Sequence, residues 1–509
     1  MPDRTPSRVP LRHLLAVAGA VFVFLFARAM TRFHDLDEHQ FVAPPALLVQ
    51  EGLLPYADYP YFHMPTLVYA QAVLLAFSSW PLLAARTLSV ACGTATVLLL
   101  LCHGWRLLAG VPPARRWLLA GGPCLVFLTS RLFTYTNGWA WNHDAATLCM
   151  LGALLLHLRG LERGRVMPIA LAGMLFGLAA GIRLSFALAF VPLAVSACLA
   201  HSPLTRRQRA AALSLAALAA LVALLPAVVH LARHRDAFLF GNLGYARLNT
   251  EFYARTSPAA ISLGGKAYHL AQTFLTDPGN AALLLLAVAG AWRSPQPVVL
   301  GMLPFLLVGA WGPSPTQYQY YYMLLPFLLV AAQYGVAAAS ADPAAERRWR
   351  RLVWLGVLVA ALPGLPRWYW HVAYLPRPDV WVPVRVHHIG EWVRDHLPDG
   401  GRVLTLEPGV PLEAGVRVYP EYAVGRFVMH VGELMTKDQR GQFGMAWGEQ
   451  LDELLRRRPP DAILIQRRIE HLAVPLREYA YRNGFEPHRS PDGRYELWVR
   501  PAGVTTARR

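Results

Sequence analysis

The chain has 509 residues, of which 55% are hydrophobic and 16% are charged, and its formal net charge at pH 7 is +17. An average soluble domain has roughly 25% charged residues, so this composition excludes ordinary soluble, disordered and fibrous proteins and indicates a membrane protein. The positive charge comes almost entirely from arginine, because Lys266 and Lys437 are the only lysines.

Uncharged stretches of about 20 residues follow one another through residues 1–366, and a helix of that length crosses a hydrocarbon core of about 30 Å. They predict about eleven transmembrane helices, near residues 11–30, 82–105, 117–135, 141–158, 166–182, 184–201, 210–232, 279–292, 297–311, 322–340 and 351–366. No small-residue cleavage site follows the first stretch, so we expect a retained span rather than a signal peptide.

Arginines cluster at every second connection between these stretches. The clusters contain Arg4, Arg8, Arg12, Arg106, Arg115, Arg116, Arg159, Arg163, Arg165, Arg206, Arg207, Arg209, Arg347, Arg348, Arg350 and Arg351. Short cytoplasmic loops are enriched in arginine, so these ends and the N-terminus are predicted to lie in the cytoplasm. The remaining connections carry carboxylates and aromatic residues and are predicted to face outward.

The first outward connection, residues 31–80, contains an uncharged run from Tyr59 to Ala85 that is long enough to cross a membrane. A crossing there would invert every downstream arginine cluster. We therefore predict an interfacial or re-entrant helix within residues 60–80, and Pro60 and Pro65 favour a broken path.

The sequence becomes charged and rich in Gly and Pro after residue 366, which predicts a separate soluble domain over residues 367–509. Short β-like runs at Arg402 to Leu406, Ala462 to Ile465 and Tyr495 to Val499, with a helical run from Glu449 to Arg458, predict a small α/β fold on the outward side. Its basic residues are scattered among acids, so no nucleic-acid role is predicted.

All five cysteines lie in apolar stretches without metal-type spacing, so neither a disulfide framework nor a zinc site is predicted. The first outward loop instead places three carboxylates, Asp35, Asp37 and Glu38, within four residues. Carboxylates this close repel one another unless a cation or a proton balances them. The cluster is either a solvated acidic loop or a functional site, and the stiff, proline- and aromatic-rich sequence that follows favours a site.

This loop resembles the GT-C class of integral-membrane glycosyltransferases, especially family 39, which includes protein O-mannosyltransferases and bacterial lipid A aminoarabinose transferases. In that family an acidic pair follows the first span, and Asp37-Glu38 matches it. Residues 48–58 match the Gly-x-x-Pro-Tyr-x-Asp stretch that comes next. His63 stands where relatives have a basic residue, and one proline, Pro65, follows it where relatives often have two.

The resemblance covers residues 11–366 and implies an inverting transfer of a sugar from a polyprenyl-phosphate donor to a hydroxyl of a glycan, lipid or protein. It also implies a bacterial inner-membrane protein with a periplasmic active site. Asp37 would act as general base or orient the acceptor hydroxyl. Glu38 and Asp144 would shape the acceptor side. The alternative for Asp144 is helix N-capping, for which Asp and Asn are favoured.

Arg183 is the only charged residue between Arg165 and Arg206, which places it at the outward tip of a helical hairpin. It is either a clamp for the donor phosphate, joined by Arg131, or an arginine that extends to the membrane interface. The other candidate substrate-binding residues are Asp35, His39, His63, His143, Tyr320 and Tyr321. The two tyrosines fit an aromatic interface belt equally well.

No cofactor is required by this chemistry, because the lipid phosphate is itself the leaving group; a divalent metal is compatible with the three acids. The expected partners are the lipid-linked donor, the acceptor and membrane lipids. The main alternative is a non-catalytic transporter or flippase of lipid-linked sugars, and a third is an inactive scaffold. A transporter is expected to carry ionisable groups near mid-membrane, whereas the acids here crowd at one outer face.

Overall fold

The computed structural model describes residues 8–199 and 202–501, and most of them are helical. Arg4 and residues 200–201, at the end of the predicted span 184–201, lie outside the described residues. Helices occupy every predicted span. Their bounds are Leu11–Thr31, Pro81–Leu107, Pro113–Thr129 with Arg131–Thr136, His143–Arg163, Val166–Ile182, Leu184–Ala189 with Phe190–Leu199, Arg206–Ala223 with Leu225–Arg233, Pro278–Arg293, Pro297–Trp311, Tyr318–Leu324 with Leu325–Ala339, and Pro343–Ala361 followed by Leu362–Gly364 and Leu365–Ala373.

Within the described ranges, five helices are long and apolar enough to cross a membrane, or up to seven if each of two bent pairs is one span. One pair, Arg206–Ala223 with Leu225–Arg233, bends by 62°, and the other, Leu263–Thr276 with Pro278–Arg293, bends by 89°. A proline lies within the first two residues of the second helix of each pair, at Pro226 and Pro278, where its missing N–H breaks the hydrogen-bond ladder. The count of eleven spans stays a prediction.

The first loop folds back on the bundle through two short helices, His39–Glu51 and Thr66–Leu75. The second has 10 residues and is therefore about 15 Å long, half the thickness of a bilayer core. Its length fits the predicted interfacial or re-entrant segment. The loop region between residues 233 and 278 contains further short helices, Arg235–Leu239, Phe240–Gly244, Tyr245–Thr256, Pro258–Ile261, Leu263–Ala271 and Gln272–Thr276.

The C-terminal segment contains a five-stranded sheet of order β2-β1-β3-β5-β4. The strands are β1 (Arg402–Thr405), β2 (Arg417–Val418), β3 (Ala462–Gln466), β4 (Glu486–Arg489) and β5 (Tyr495–Val499). β1 pairs in parallel with β2 and β3, and β5 pairs antiparallel with β3 and β4. The surrounding helices are Pro378–Val380, Val382–Asp395, Gly409–Leu412, Pro420–Tyr422, Phe427–Gly432, Lys437–Gln442, Glu449–Arg457, Arg467–Leu472 and Val474–Arg482.

This sheet region shares a hydrophobic core with the first loop. Buried residues such as Tyr59 and Phe62 of the loop join Leu406 and Tyr422 of the C-terminal segment in one cluster. Burial of apolar surface is the main stabilising contribution to such a core, so the loop and the sheet support each other. The division into domains at residues 366 and 367 stays a prediction, but the C-terminal segment is packed where it can contribute to a site in the loop.

Glycines bring the backbones of two neighbouring helices into contact. A Cβ atom on Gly173 of Val166–Ile182 would lie 2.2 Å from the carbonyl oxygen of Ala216, and one on Gly177 would lie 2.4 Å from that of Ala220. Small residues spaced four apart permit this close packing between membrane helices. The contact fixes the helix that ends immediately before Arg183.

Candidate active site

A cavity of about 180 Å³ opens where several helices end, beside the first loop. Five of the predicted site residues line it. They are Asp37, His63, His143, Arg183 and Tyr320. His143 is the first residue of His143–Arg163 and Arg183 directly follows Val166–Ile182, so the cavity lies at one end of this antiparallel helix pair. Asp37 and Arg183 therefore share one pocket.

Asp37 is held in place by an arginine of the C-terminal segment. Its Oδ1 lies 2.9 Å from Nη2 of Arg426, and 28% of the Asp37 side chain remains exposed. The carboxylate is therefore ion-paired and also accessible from the cavity. Nothing in the sequence pointed to Arg426, because its partner lies in the first loop and only tertiary packing brings the two together.

Arg183 is surrounded by neutral groups. Its Nε donates to Oγ of Ser185 at 3.0 Å, and Nη1 donates to Oδ1 of Asn142 at 3.3 Å. Nη1 also contacts Nδ1 of His143 at 3.0 Å, and the guanidinium lies 4.7 Å from the centre of the Tyr320 ring. Among the described residues, no carboxylate forms an ion pair with it. A guanidinium oriented by neutral groups is suited to bind an external anion such as a phosphate.

His63 lines the cavity together with Gln40, a hydrogen-bond partner that was not predicted from the sequence. Its Nε2 lies 2.6 Å from Oε1 of Gln40, and its ring stacks on Phe41 with centroids 4.7 Å apart. Gln40 lines the same cavity. The cavity therefore offers both an amide and an imidazole group as hydrogen-bonding partners.

The structure corrects the position expected for Glu38. Its side chain is fully buried, away from the cavity wall, and forms a two-pronged pair with Arg86, whose Nε and Nη2 lie 2.8 and 2.6 Å from the two carboxylate oxygens. The backbone N–H of Ala140 donates to the same carboxylate at 2.9 Å. Both oxygens are thus occupied, so Glu38 anchors the loop to the helix Pro81–Leu107 instead of facing an acceptor.

We expect Glu38→Gln and Arg86→Gln each to lower the free energy of unfolding by about 3–5 kcal/mol, because each leaves a buried charge without its partner. Chemical denaturation in detergent micelles measures the change. The control is Glu162→Gln, which breaks the more exposed pair with Arg106 and should cost about 0–1 kcal/mol. Equal losses of unfolding free energy for the buried and the exposed pair would argue against a structural role of Glu38 in anchoring the loop.

Asp144 also lies outside the cavity. It is buried and accepts hydrogen bonds from Nδ2 of Asn137 at 3.0 Å, from the N–H of Gly138 at 3.2 Å and from the hydroxyl of Tyr322 at 2.7 Å. The N-cap position of its helix is Asn142, not Asp144. The carboxylate therefore ties the preceding turn to the tyrosine-rich helix that supplies Tyr320, which differs from both an acceptor contact and a helix cap.

The other four predicted substrate-binding residues lie away from the cavity wall. Arg131 is exposed and does not line the cavity with Arg183. Tyr321 and His39 are both buried elsewhere. Oδ1 of Asp35 accepts the backbone N–H of Asp37 at 2.8 Å. Burial, followed by the nearby charge of Asp37, raises the pKa of Asp35 to about 7. Asp35 therefore shapes the turn that presents Asp37.

The segment that carries Arg426 also contains a buried histidine, His430, whose protonation is expected to change the stability of the fold. His430 lies one turn further along, and its ring stacks on Phe252 with centroids 4.7 Å apart. Burial, with a smaller effect of the Arg426 charge, lowers the pKa of His430 to about 4. The unfolded chain takes up this proton near pH 6.5, so the folded state loses stability as the pH falls from there to about 4.

We expect His430→Phe to keep the ring stack and to remove this part of the pH dependence. Unfolding of the parent and of the variant is compared at pH 4.5 and at pH 7.5. The parent should lose more stability between the two values than the variant does, while the exposed-site control His388→Phe should follow the parent. Parallel pH profiles of the parent and His430→Phe would contradict the expectation.

Comparison with known proteins supports the fold expected from the first loop. No protein-family model and no curated protein sequence matches the chain. Among solved structures, ArnT from Cupriavidus metallidurans bound to undecaprenyl phosphate superposes with a TM-score of 0.63 at 13% identity, covering 97% of this chain and 98% of that chain. Its apo state gives 0.61 at 14% identity, covering 96% and 97%.

The oligosaccharyltransferase of Archaeoglobus fulgidus, in complex with Zn and sulfate, gives a TM-score of 0.50 at 14% identity and covers 96% of this chain and 74% of that chain. These proteins are GT-C glycosyltransferases. The GT-C-like fold predicted from the first loop is therefore confirmed.

Proposed function

We propose that the chain is a membrane glycosyltransferase that moves a sugar from a polyprenyl-phosphate donor to a hydroxyl acceptor, with inversion at the anomeric carbon, on the periplasmic side of a bacterial inner membrane. The observation that carries this proposal is the shared cavity of Asp37 and Arg183 at the ends of the helices. One group can accept a proton and the other can bind a phosphate. The acceptor can be a glycan, a lipid or a protein.

The donor phosphate is assigned to Arg183. The contacts with Ser185, Asn142 and the Tyr320 ring fix the guanidinium before any ligand binds. Among the described residues, no carboxylate forms an ion pair that would compete with the phosphate. Negative charge grows on the phosphate as the bond to the sugar breaks. A preorganised cation stabilises that charge more strongly in the transition state than in the bound donor.

A neighbouring apolar cavity supports a lipid-linked donor. It has a volume of about 810 Å³ and is lined almost entirely by hydrophobic side chains, including Phe274, Leu307, Trp311 and Leu324. Leu324 and Tyr320 belong to the same short helix, and Trp311 lies two residues before Pro313, which lines the active-site cavity. An isoprenoid chain can therefore lie in this apolar cavity while its phosphate reaches Arg183.

Lys266 holds the segment between the two cavities. Its Nζ donates to the carbonyl oxygens of Trp311, Gly312 and Pro313 at 3.1, 3.0 and 3.0 Å. Hydrogen bonds from a charged donor are stronger than those between neutral groups. The segment between the apolar cavity and the active-site cavity is thus held in place by one of the two lysines in the chain.

The reaction is a single displacement in this arrangement. The acceptor oxygen attacks the anomeric carbon, Asp37 takes the hydroxyl proton, and the bond between the anomeric carbon and the phosphate oxygen breaks with its electron pair leaving on the lipid phosphate. One displacement inverts the configuration at the anomeric carbon. Arg426 orients the carboxylate, and the exposed part of Asp37 is free to meet the hydroxyl.

The test is transfer by the purified protein in lipid nanodiscs, with a panel of radiolabelled polyprenyl-phosphate sugars and an extract of envelope glycans, lipids and proteins as acceptors. The expected result is labelled product together with free polyprenyl phosphate, and the anomeric configuration of the product is read by NMR. Intact donor moving between the leaflets of sealed vesicles, with no bond cleaved over the whole panel, would support the flippase alternative instead.

A further inference from the structure

Two histidines and a glutamate from distant parts of the chain meet beside the first loop. His34, His39 and Glu407 each present one ligand atom, and these atoms lie within 4.8 Å of one another. His34 and His39 flank Asp37 in sequence, whereas Glu407 lies two residues beyond strand β1. The cluster therefore joins the loop that carries Asp37 to the C-terminal sheet.

The two buried members of this cluster carry three polar atoms without a hydrogen-bond partner among the described residues. His39 is 2% exposed and Glu407 is 1% exposed. Among the described residues, neither ring nitrogen of His39 and only one oxygen of Glu407 has a hydrogen bond, which the Tyr495 hydroxyl donates to Oε2 at 3.0 Å. Buried polar atoms in folded proteins are nearly always paired, so several unpaired atoms gathered in one place indicate a missing ligand.

The distance between His39 and Glu407 suits a shared metal ion better than a direct hydrogen bond. Nε2 of His39 lies 3.5 Å from Oε2 of Glu407. Two ligands bound tetrahedrally at roughly 2.0–2.1 Å from a zinc ion are about 3.3 Å apart. Two imidazole nitrogens with one carboxylate oxygen are a donor set that favours zinc, whereas magnesium and calcium prefer oxygen ligands.

We propose that His34, His39 and Glu407 bind one Zn²⁺ ion. The cysteine pattern predicted no zinc site, and these three ligands share no short spacing motif that would indicate one. The ion would anchor the Asp37 loop to the C-terminal sheet, which is a role that the proposed sugar transfer does not require. It therefore goes beyond the proposed function.

Three protein ligands leave a fourth position for water or an anion. His34 also lines a second cavity of about 550 Å³ between the first loop and the C-terminal segment. The arginines on its wall are Arg385, Arg467, Arg468 and Arg494. The positive wall of this cavity favours a hydroxide or another small anion at the open position.

The experiment measures zinc uptake by the full chain in detergent, without any sugar donor or acceptor, so its outcome does not depend on the proposed function. The protein is stripped with a chelator, dialysed against Zn²⁺ and analysed by mass spectrometry of the metal. We expect one zinc per chain and a higher midpoint of thermal unfolding. His39→Asn and Glu407→Gln should lose both effects, whereas His388→Asn, which removes an exposed histidine elsewhere, should keep them.

Glu407→Gln also separates ligand loss from misfolding, because glutamine has the same shape and can still accept the hydrogen bond from Tyr495. Its elution volume on size exclusion should match that of the parent. The parent loaded with Co²⁺ should show the visible absorption of a four-coordinate nitrogen and oxygen site. A parent chain that takes up no zinc, or zinc retained by both His39→Asn and a correctly eluting Glu407→Gln, would overturn the proposal.

Discussion

Replacing Asp37 by asparagine is expected to lower the rate of sugar transfer by about 10²–10⁴-fold, the usual contribution of a general base. Asparagine has the same size and can still accept a hydrogen bond from Arg426, but it cannot take the acceptor proton. Single-turnover transfer from a labelled polyprenyl-phosphate sugar measures the chemical step. Binding of polyprenyl phosphate alone should be nearly unchanged, because the phosphate is assigned to Arg183.

Two further variants serve as a control and as a test of the ion pair with Arg426. Asp58→Asn changes an exposed acid in the same loop and should transfer sugar at the parent rate. Arg426→Gln keeps the Asp37 carboxylate but removes the ion pair that orients it, so its rate should fall by less than that of Asp37→Asn. Unchanged transfer by Asp37→Asn would remove this carboxylate from the mechanism.

Replacing Arg183 by glutamine is expected to lower kcat/KM by about 10²–10³-fold, the loss typical when one preorganised donor to a developing anion is removed. The kcat/KM of Arg183→Lys should lie between those of the parent and Arg183→Gln, because lysine keeps the charge but lacks the planar guanidinium that can bind two phosphate oxygens. Both variants should also bind polyprenyl phosphate more weakly, which distinguishes them from Asp37→Asn.

The matched control for Arg183 is Arg293→Gln, an exposed arginine at the end of another helix. It should leave transfer and lipid-phosphate binding at the parent level. Equilibrium binding of a fluorescent polyprenyl phosphate in nanodiscs provides the comparison. Binding by Arg183→Gln as tight as that of the parent would contradict a phosphate clamp and would favour an arginine that serves the membrane interface.

The positions of the helices were predictable because they depend on residues that are close in sequence. Uncharged windows located the helices of the predicted spans, most of them within a few residues, and short β-like runs located strands β1, β3 and β5. Strand β2 has two residues, and β4 reads Glu-Pro-His-Arg, so neither carries an alternating apolar pattern. The convergence of Asp37 and Arg183 in one cavity was expected from the predicted alternation of helix ends between two sides of a membrane.

The pairing of side chains was less predictable, because it depends on tertiary packing. No feature of the sequence indicated that Arg426 pairs with Asp37. Arg86 did carry a signal, because it lies in the apolar helix Pro81–Leu107 far from the arginine cluster at the other end, and such an arginine needs an anionic partner just as Arg183 does. Applied to Arg86, that reasoning would have removed Glu38 from the acceptor side. The role of Asp144 as a hydrogen-bond acceptor for three groups from two segments had no local pattern that could reveal it.

The glycines at positions 173 and 177 have a consequence for the evolution of this protein. Because their neighbours leave no room for a single methyl group, a change to alanine would push apart two helices and tilt the end that carries Arg183. Sequence drift that spares every residue lining the cavity can therefore still abolish the proposed recognition of a lipid phosphate. Comparisons between distant homologues should find Gly173 and Gly177 conserved as strongly as Asp37 and Arg183.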